Sequence, residues 1–162
     1  MQLVISRDLL LQAINLISKA ADKRHNMVIL GNMKLALTDS QLVMVASDLE
    51  LELQATLNLP ESACKQPGEI TVPANKFKDI VKLLPDGLPV SISVGDDNQC
   101  LIVCGSSRFK LSTLPAQDFP LLGEPEQVTP IQLGREDLVD LLDKTHFAMA
   151  VQDVRYYLTG ML

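Results

Sequence analysis

Residues 131–162 read IQLGREDLVDLLDKTHFAMAVQDVRYYLTGML, and residues 3–34 read LVISRDLLLQAINLISKAADKRHNMVILGNMK. Moved back by 128 positions, the first stretch falls on the second without a gap. Ile131 lands on Leu3, Leu133 on Ile5, Arg135 on Arg7 and Glu136 on Asp8. Leu138 meets Leu10, Leu142 meets Ile14, Ala148 meets Ala20, Leu158 meets Leu30 and Met161 meets Met33. Self-similarity through a strand, a helix and the next strand marks a repeat on the scale of a domain. The second copy holds its first strand, its helix and part of its second strand, too little to bury its apolar faces alone. The chain therefore reads as one domain over 1–125, then a linker and the truncated start of a second such domain over 126–162.

Between the copies the chain alternates many strands with few helices. A short apolar strand over 2–5 precedes a helix over 7–20, with Ser6 as N-cap and a core stripe of Leu10, Ala13, Ile14 and Ile17. Strands follow at 28–37, 41–47 and 49–58. In the last, Leu49, Leu51 and Leu53 alternate with Asp48, Glu50 and Glu52, as a half-buried antiparallel strand requires. After a loop around Pro60 to Gly68 comes a strand at 69–72. Pro73 then opens a helix that turns Phe77, Ile80, Val81 and Leu84 inward. Strands at 89–94, 99–104 and 107–113 close the domain. Residues 115–130 hold four prolines and no period, so they read as linker. The fold class is α+β: two similar halves, each a strand, a helix and three strands, with two helices against antiparallel sheets.

The composition suits a globular chain. Of 162 residues, 47% are hydrophobic and 21% charged, which excludes disorder. No apolar run reaches a membrane span, and the N-terminus MQLVISRDLL has no leader pattern, which points to the cytosol and to no membrane partner. Cys64, Cys100 and Cys104 are odd in number and form no CxxC, so neither a disulfide framework nor a zinc site is expected.

Candidate chemistry is sparse. Asp48, Glu50 and Glu52 on one strand face could hold a divalent metal or do acid–base work, or form a solvated face. Cys100 and Cys104 stand among Leu101, Ile102 and Val103 as small core residues. GxSxG, GxxxxGK[ST], GxGxxG and HExxH do not occur. Catalysis and a cofactor are not expected.

Charge is uneven. The formal balance is −6, yet residues 1–24 and the helix at 73–84 are each locally basic, while strands 38–57 carry four acids and no base. An acidic protein can still turn one positive face to a polyanion. Ordinary solvated helix faces give the same pattern, so charge by itself leaves both open.

Seven segments in order resemble the bacterial DNA polymerase III beta subunit, the sliding clamp family. They are Ile29-Leu-Gly-Asn32, Ser47-Asp-Leu-Glu50, Thr71-Val-Pro-Ala74, Ser107-Arg-Phe109, Leu111-Ser-Thr-Leu-Pro115, Asp118-Phe-Pro120 and Gln152-Asp-Val-Arg-Tyr-Tyr-Leu158. The resemblance implies the DNA-clamp fold, three similar domains in a full chain and a homodimer closed head to tail around double-stranded DNA. It implies a non-catalytic processivity factor, without cofactor, that tethers polymerase III core, clamp loader and other clamp-binding proteins. A metal-dependent enzyme, or a scaffold reusing the fold away from DNA, are the alternatives.

Carried over by position, the resemblance implies DNA contact for Arg24 and, 128 residues on, for Gln152, with Tyr156 and Tyr157 beside it. The tyrosines could instead pack in a core strand. It implies a dimer face of Lys76, Phe77, Ile80, Phe109 and Leu111, although Phe77 and Ile80 also fit a core. Arg155 and Leu158 match part of the cleft that takes client peptides. Two usually basic family positions are Asn75 and Ser106 here, which alters the expected charge toward DNA and across the dimer.

Overall fold

The structure, a computed structural model, describes residues 1–21, 27–95, 98–123, 129–151 and 154–161. Two compact units divide the chain, Met1–Gly123 and Glu124–Leu162. Among the described residues no helix is long and apolar enough to cross a membrane.

Among its described residues, the first unit has nine strands and two α-helices. The strands are β1 (Gln2–Ser6), β2 (Asn32–Leu37), β3 (Gln41–Ser47), β4 (Glu52–Asn58), β5 (Cys64–Gln66), β6 (Gly68–Pro73), β7 (Pro89–Val94), β8 (Gln99–Cys104) and β9 (Ser107–Ser112); the helices are α1 (Arg7–Ile17) and α2 (Ala74–Leu83). They form two antiparallel sheets, ordered β5-β1-β7-β8-β9 and β4-β3-β2-β6. The two halves exchange their first strands. β1 leaves its own half to pair with β7, Leu3 opposite Ile92, and β6 pairs with β2, Val72 opposite Met33. Each sheet thus needs both halves, which makes the pair one folding unit.

The helices cover one core with their apolar stripes. Leu10, Ala13, Ile14 and Ile17 of α1, and Ala74, Phe77 and Val81 of α2, are buried with Leu3, Leu35, Met44, Ile92 and Ile102 from the sheets. Arg7 ties the helices together. Its Nε donates to the Val81 carbonyl at 3.2 Å and Nη2 to the Lys82 carbonyl at 2.9 Å, while Nη1 pairs with Asp86 at 2.7 Å. A cation on the last carbonyls of α2 satisfies acceptors that the helix itself leaves open.

The expected boundaries shift in several places, among them the strand expected at 49–58, which begins at Glu52. α1 gives way at Ser18–Ala20 to a 3-10 turn, and Ser6 stands at its N-cap position without a side-chain capping bond. Residues 28–31 form a 3-10 turn ahead of β2. The supposed loop holds β5, a three-residue edge beside β1. Residues 116–122 belong to the first unit rather than to a free linker: Phe119 is buried with Ile29 and Val45, and the Leu122 amide donates to Glu52 Oε2 at 2.8 Å.

In the second unit, α3 (Arg135–Thr145) is followed by 3-10 turns at His146–Ala148 and Tyr156–Thr159. Each is displaced by 128 from α1, Ser18–Ala20 and Val28–Gly31. The closing bonds repeat too: Ala21 N–H to Ser18 becomes Met149 N–H to His146, and Leu30 N–H to Met27 becomes Leu158 N–H to Arg155. Residues 131–134 form no strand, in contrast to β1. β1 is held by ladders to β5 and β7, and a strand without a neighbour has no such bonds.

Candidate nucleic-acid interface

Arg24 and Gln152 lie outside the described residues. Tyr156 and Tyr157 sit on the turn Tyr156–Thr159, 83% and 65% exposed, with ring centroids 6.1 Å apart in an edge-to-face pair. They stand on a turn rather than a strand, with both rings facing solvent, in a unit where no described residue is buried. A backbone and a side-chain bond hold the turn, with Ala150 N–H donating to the Leu158 carbonyl and the Thr159 hydroxyl to the Tyr156 carbonyl at 2.6 Å. Such a pair offers two phenolic O–H donors and flat apolar rings, groups suited to phosphate and sugar and blind to sequence. Arg155 and Leu158 are exposed on the same segment.

The five dimer-face positions separate by burial. Phe77 is 0% exposed and Leu111 is buried, so these two side chains serve the core and offer a partner no surface. Both lie on the inward register of their elements, where apolar area is best removed from water. Lys76 is exposed, while Ile80 and Phe109 are half-buried against the core. β9 closes one end of its sheet, with β8 as its neighbour in that sheet. Its outward register carries Arg108 and Lys110, both exposed and neither among the positions that the resemblance implies. The alternation in SRFKLS held that signal. Cations on an edge strand discourage pairing with a like strand and favour an acidic one.

The acidic row is not a site. Asp48 and Glu50 lie in the turn between β3 and β4, ahead of the strand, so the three carboxylates share no strand face. Asp48 Oδ1 accepts the amides of Leu51 at 2.7 Å and Glu50 at 3.0 Å, and Ser47 Oγ accepts that of Leu49 at 3.1 Å. These bonds hold Leu49 at φ 75°, a left-handed conformation rare for leucine. The backbone amides of Leu51 and Glu50 also keep the Asp48 carboxyl below its ordinary pKa. Glu52 is engaged by Leu122. Among the described residues no group of three potential ligands could hold a metal ion.

Cys100 and Cys104 face the core from β8, and burial pushes the Cys100 thiol up to about 12. A thiol so raised stays protonated and unreactive at neutral pH.

The family model for the DNA polymerase III beta subunit, N-terminal domain, matches residues 1–123. A beta sliding clamp of Pseudomonas putida is 43% identical over all 162 residues, and that of Escherichia coli 39%. The crystal structure of the DNA polymerase III subunit beta from Pseudomonas aeruginosa superposes with a TM-score of 0.92 at 42% identity, over 99% of this chain and 43% of that one. The chain spans 43% of the length of the curated relatives. The clamp fold of these structures is the fold described above.

Proposed function

The chain belongs to the DNA polymerase III beta subunit family, and from that premise we propose that it supplies the first clamp domain (1–125) and the linker and start of the second (126–162) of a bacterial sliding clamp. The observation that carries the reading is the match of the whole chain to beta sliding clamps at 39–43% identity. The protein encircles double-stranded DNA as a head-to-tail homodimer in the cytoplasm. It tethers polymerase III core, the clamp loader and other clients without chemistry of its own.

The physics of such a device needs few strong contacts. A heterologous interface closes into a ring when its rotation permits. A topological link then holds DNA while leaving it free to slide, and contacts aimed at phosphate carry no sequence information. Arg24, Gln152, Tyr156 and Tyr157 serve as those contacts. Lys76, Ile80 and Phe109, joined by Arg108 and Lys110 on β9, present the edge to a partner chain. Tethering raises the effective concentration of the primer end at the polymerase.

The test uses the complete gene product, loaded onto nicked circular DNA by its loader, with bound protein followed before and after one cut linearises the circle. Retention on the circle and rapid loss after the cut is expected. Equal retention on both forms would mean ordinary backbone binding and would overturn the ring.

A further inference from the structure

The second unit leaves a helix face bare. Leu138, Leu141, Leu142 and Thr145 follow the i, i+3, i+4, i+7 spacing of one side of α3, and the three leucines are 40–53% exposed. Glu136, Asp140 and Asp143 keep to the far side. In the first unit the equivalent face is covered. Leu10, Ala13, Ile14 and Ile17, 128 positions back, are buried, and α1 lies beside α2 in the opposite sense. Arg7 at the start of α1 holds the last carbonyls of α2, and Ser18 beyond its end accepts a hydrogen bond from Lys78 at 3.2 Å. One half of the domain is thus completed by a second, similar half running antiparallel to it.

We propose that α3 of the 162-residue chain packs against α3 of a second copy of this chain, antiparallel and two-fold symmetric, with Leu138, Leu141 and Leu142 of both copies forming one seam. Charge complementarity selects this occupant and its direction. Asp137 and Lys144 are seven residues apart, so both lie on one flank of the leucine stripe. A two-fold antiparallel pair sets that flank against its own copy, which brings each Asp137 beside the partner's Lys144. The Lys144 ammonium, which also pairs with Asp140, is 70% exposed and has donors to spare. The charge pair is not a by-product of the repeat, because α1 carries Leu9 and Leu16 at the equivalent positions. A self-complementary seam on α3 is distinct from a head-to-tail contact at the β9 edge, so it stands or falls without the ring. One helix of 11 residues from each chain buries less than a standard interface, and the dimer is accordingly weak and concentration-dependent.

Analytical ultracentrifugation follows the 162-residue chain from about 1 µM to about 1 mM, the range of a weak complex. Wild type is expected to pass from monomer to dimer and no further, while L138E/L142E stays monomeric. D137K leaves only cations at the two flank positions and K144D only acids. Each alone is expected to dimerise about tenfold more weakly, and their equimolar mixture to recover wild-type association as a heterodimer. Should L138E/L142E melt α3, the mixture decides, since both of its chains keep the leucines. Wild type that stays monomeric throughout overturns the seam. So does a mixture no stronger than its components, or association beyond the dimer that is indifferent to the charge variants. Association lost in R108E/K110E but kept in L138E/L142E overturns it as well, and places the contact on the β9 edge instead.

Discussion

The Asn32 side-chain amide donates to Thr71 Oγ1 at 2.9 Å, with both residues buried between β2 and β6. The same hydroxyl donates to the Leu114 carbonyl at 3.1 Å and accepts the Leu114 amide at 3.3 Å. Three of the segments that carry the family resemblance, Ile29–Asn32, Thr71–Ala74 and Leu111–Pro115, each supply one member of this knot. It fastens the chain where it leaves β9 to the edge of the opposite sheet, through the Thr71–Leu114 bridge. A buried polar network fully satisfied in this way fixes one arrangement, and breaking it leaves costly orphans.

Thr71→Val keeps the shape and removes the hydroxyl, so the Asn32 amide loses its partner inside the core. A loss of about 1–3 kcal/mol is expected, the penalty for a buried donor left unsatisfied. Asn32→Ala alone should cost a similar amount. The double variant should cost clearly less than the two together, because the two groups serve one network. Urea unfolding of the four chains measures this, and strict additivity would contradict the shared knot.

Phe77 separates a core role from an interface role. At 0% exposure, Phe77→Ala should remove about 3–5 kcal/mol from the stability of the monomer. An unchanged urea midpoint in dilute chain, with an effect confined to self-association, would restore Phe77 to the partner face. Ile80→Ala, half-buried, should cost less than Phe77→Ala in the same experiment.

The turn before β4 should register in acid. The Asp48 carboxyl is held below its ordinary 3.8 by the amides of Leu51 and Glu50. A depressed folded pKa contributes stability that is present above the unfolded value and lost as pH falls through the folded one. Asp48→Asn keeps an acceptor but not the charge. Wild type should therefore be the more stable of the two near neutrality, and the gap should close as pH drops below 3.8. Urea midpoints compared at both ends decide it, and a gap that is constant with pH would mean the bonds to Asp48 are not charge-assisted.

The same turn shows where sequence reading reaches its limit. Helices α1 and α2 were legible because their apolar positions recur at 3.6 residues, and most strands because theirs recur at two. Leu49, Leu51 and Leu53 imitate the strand period, but the side chains of Ser47 and Asp48 capture the amides of Leu49, Glu50 and Leu51 and fold the first two leucines into a turn. Local side-chain bonds of this kind compete directly with a ladder. β5 was missed for the opposite reason: Cys64-Lys-Gln66 has no pattern of its own and is a strand through its pairing with β1. At the candidate interface, the family resemblance singled out the two tyrosines, while the offset of 128 put them on a strand where the structure has a turn, a difference that periodicity does not report.

That offset also sets up a comparison within one chain. Leu10, Ala13 and Ile14 of α1 are 0–3% exposed, whereas their equivalents Leu138, Leu141 and Leu142 of α3 are 45%, 53% and 40% exposed. Helices of this length, 11 residues each, are marginal in water without a packed face, because nucleation fixes several residues for one bond. α1 draws its stability from the core, so its amides should exchange through global unfolding, at about 5–15 kcal/mol. α3 buries no residue, and its amides should exchange orders of magnitude faster in dilute chain. Hydrogen exchange read helix by helix tests this within a single sample. Protection of α3 equal to that of α1, and independent of concentration, would mean that its apolar face is covered from within the chain. Protection that rises with concentration would mean that a second copy covers it, and dilution should then return α3 to fast exchange while leaving α1 unchanged.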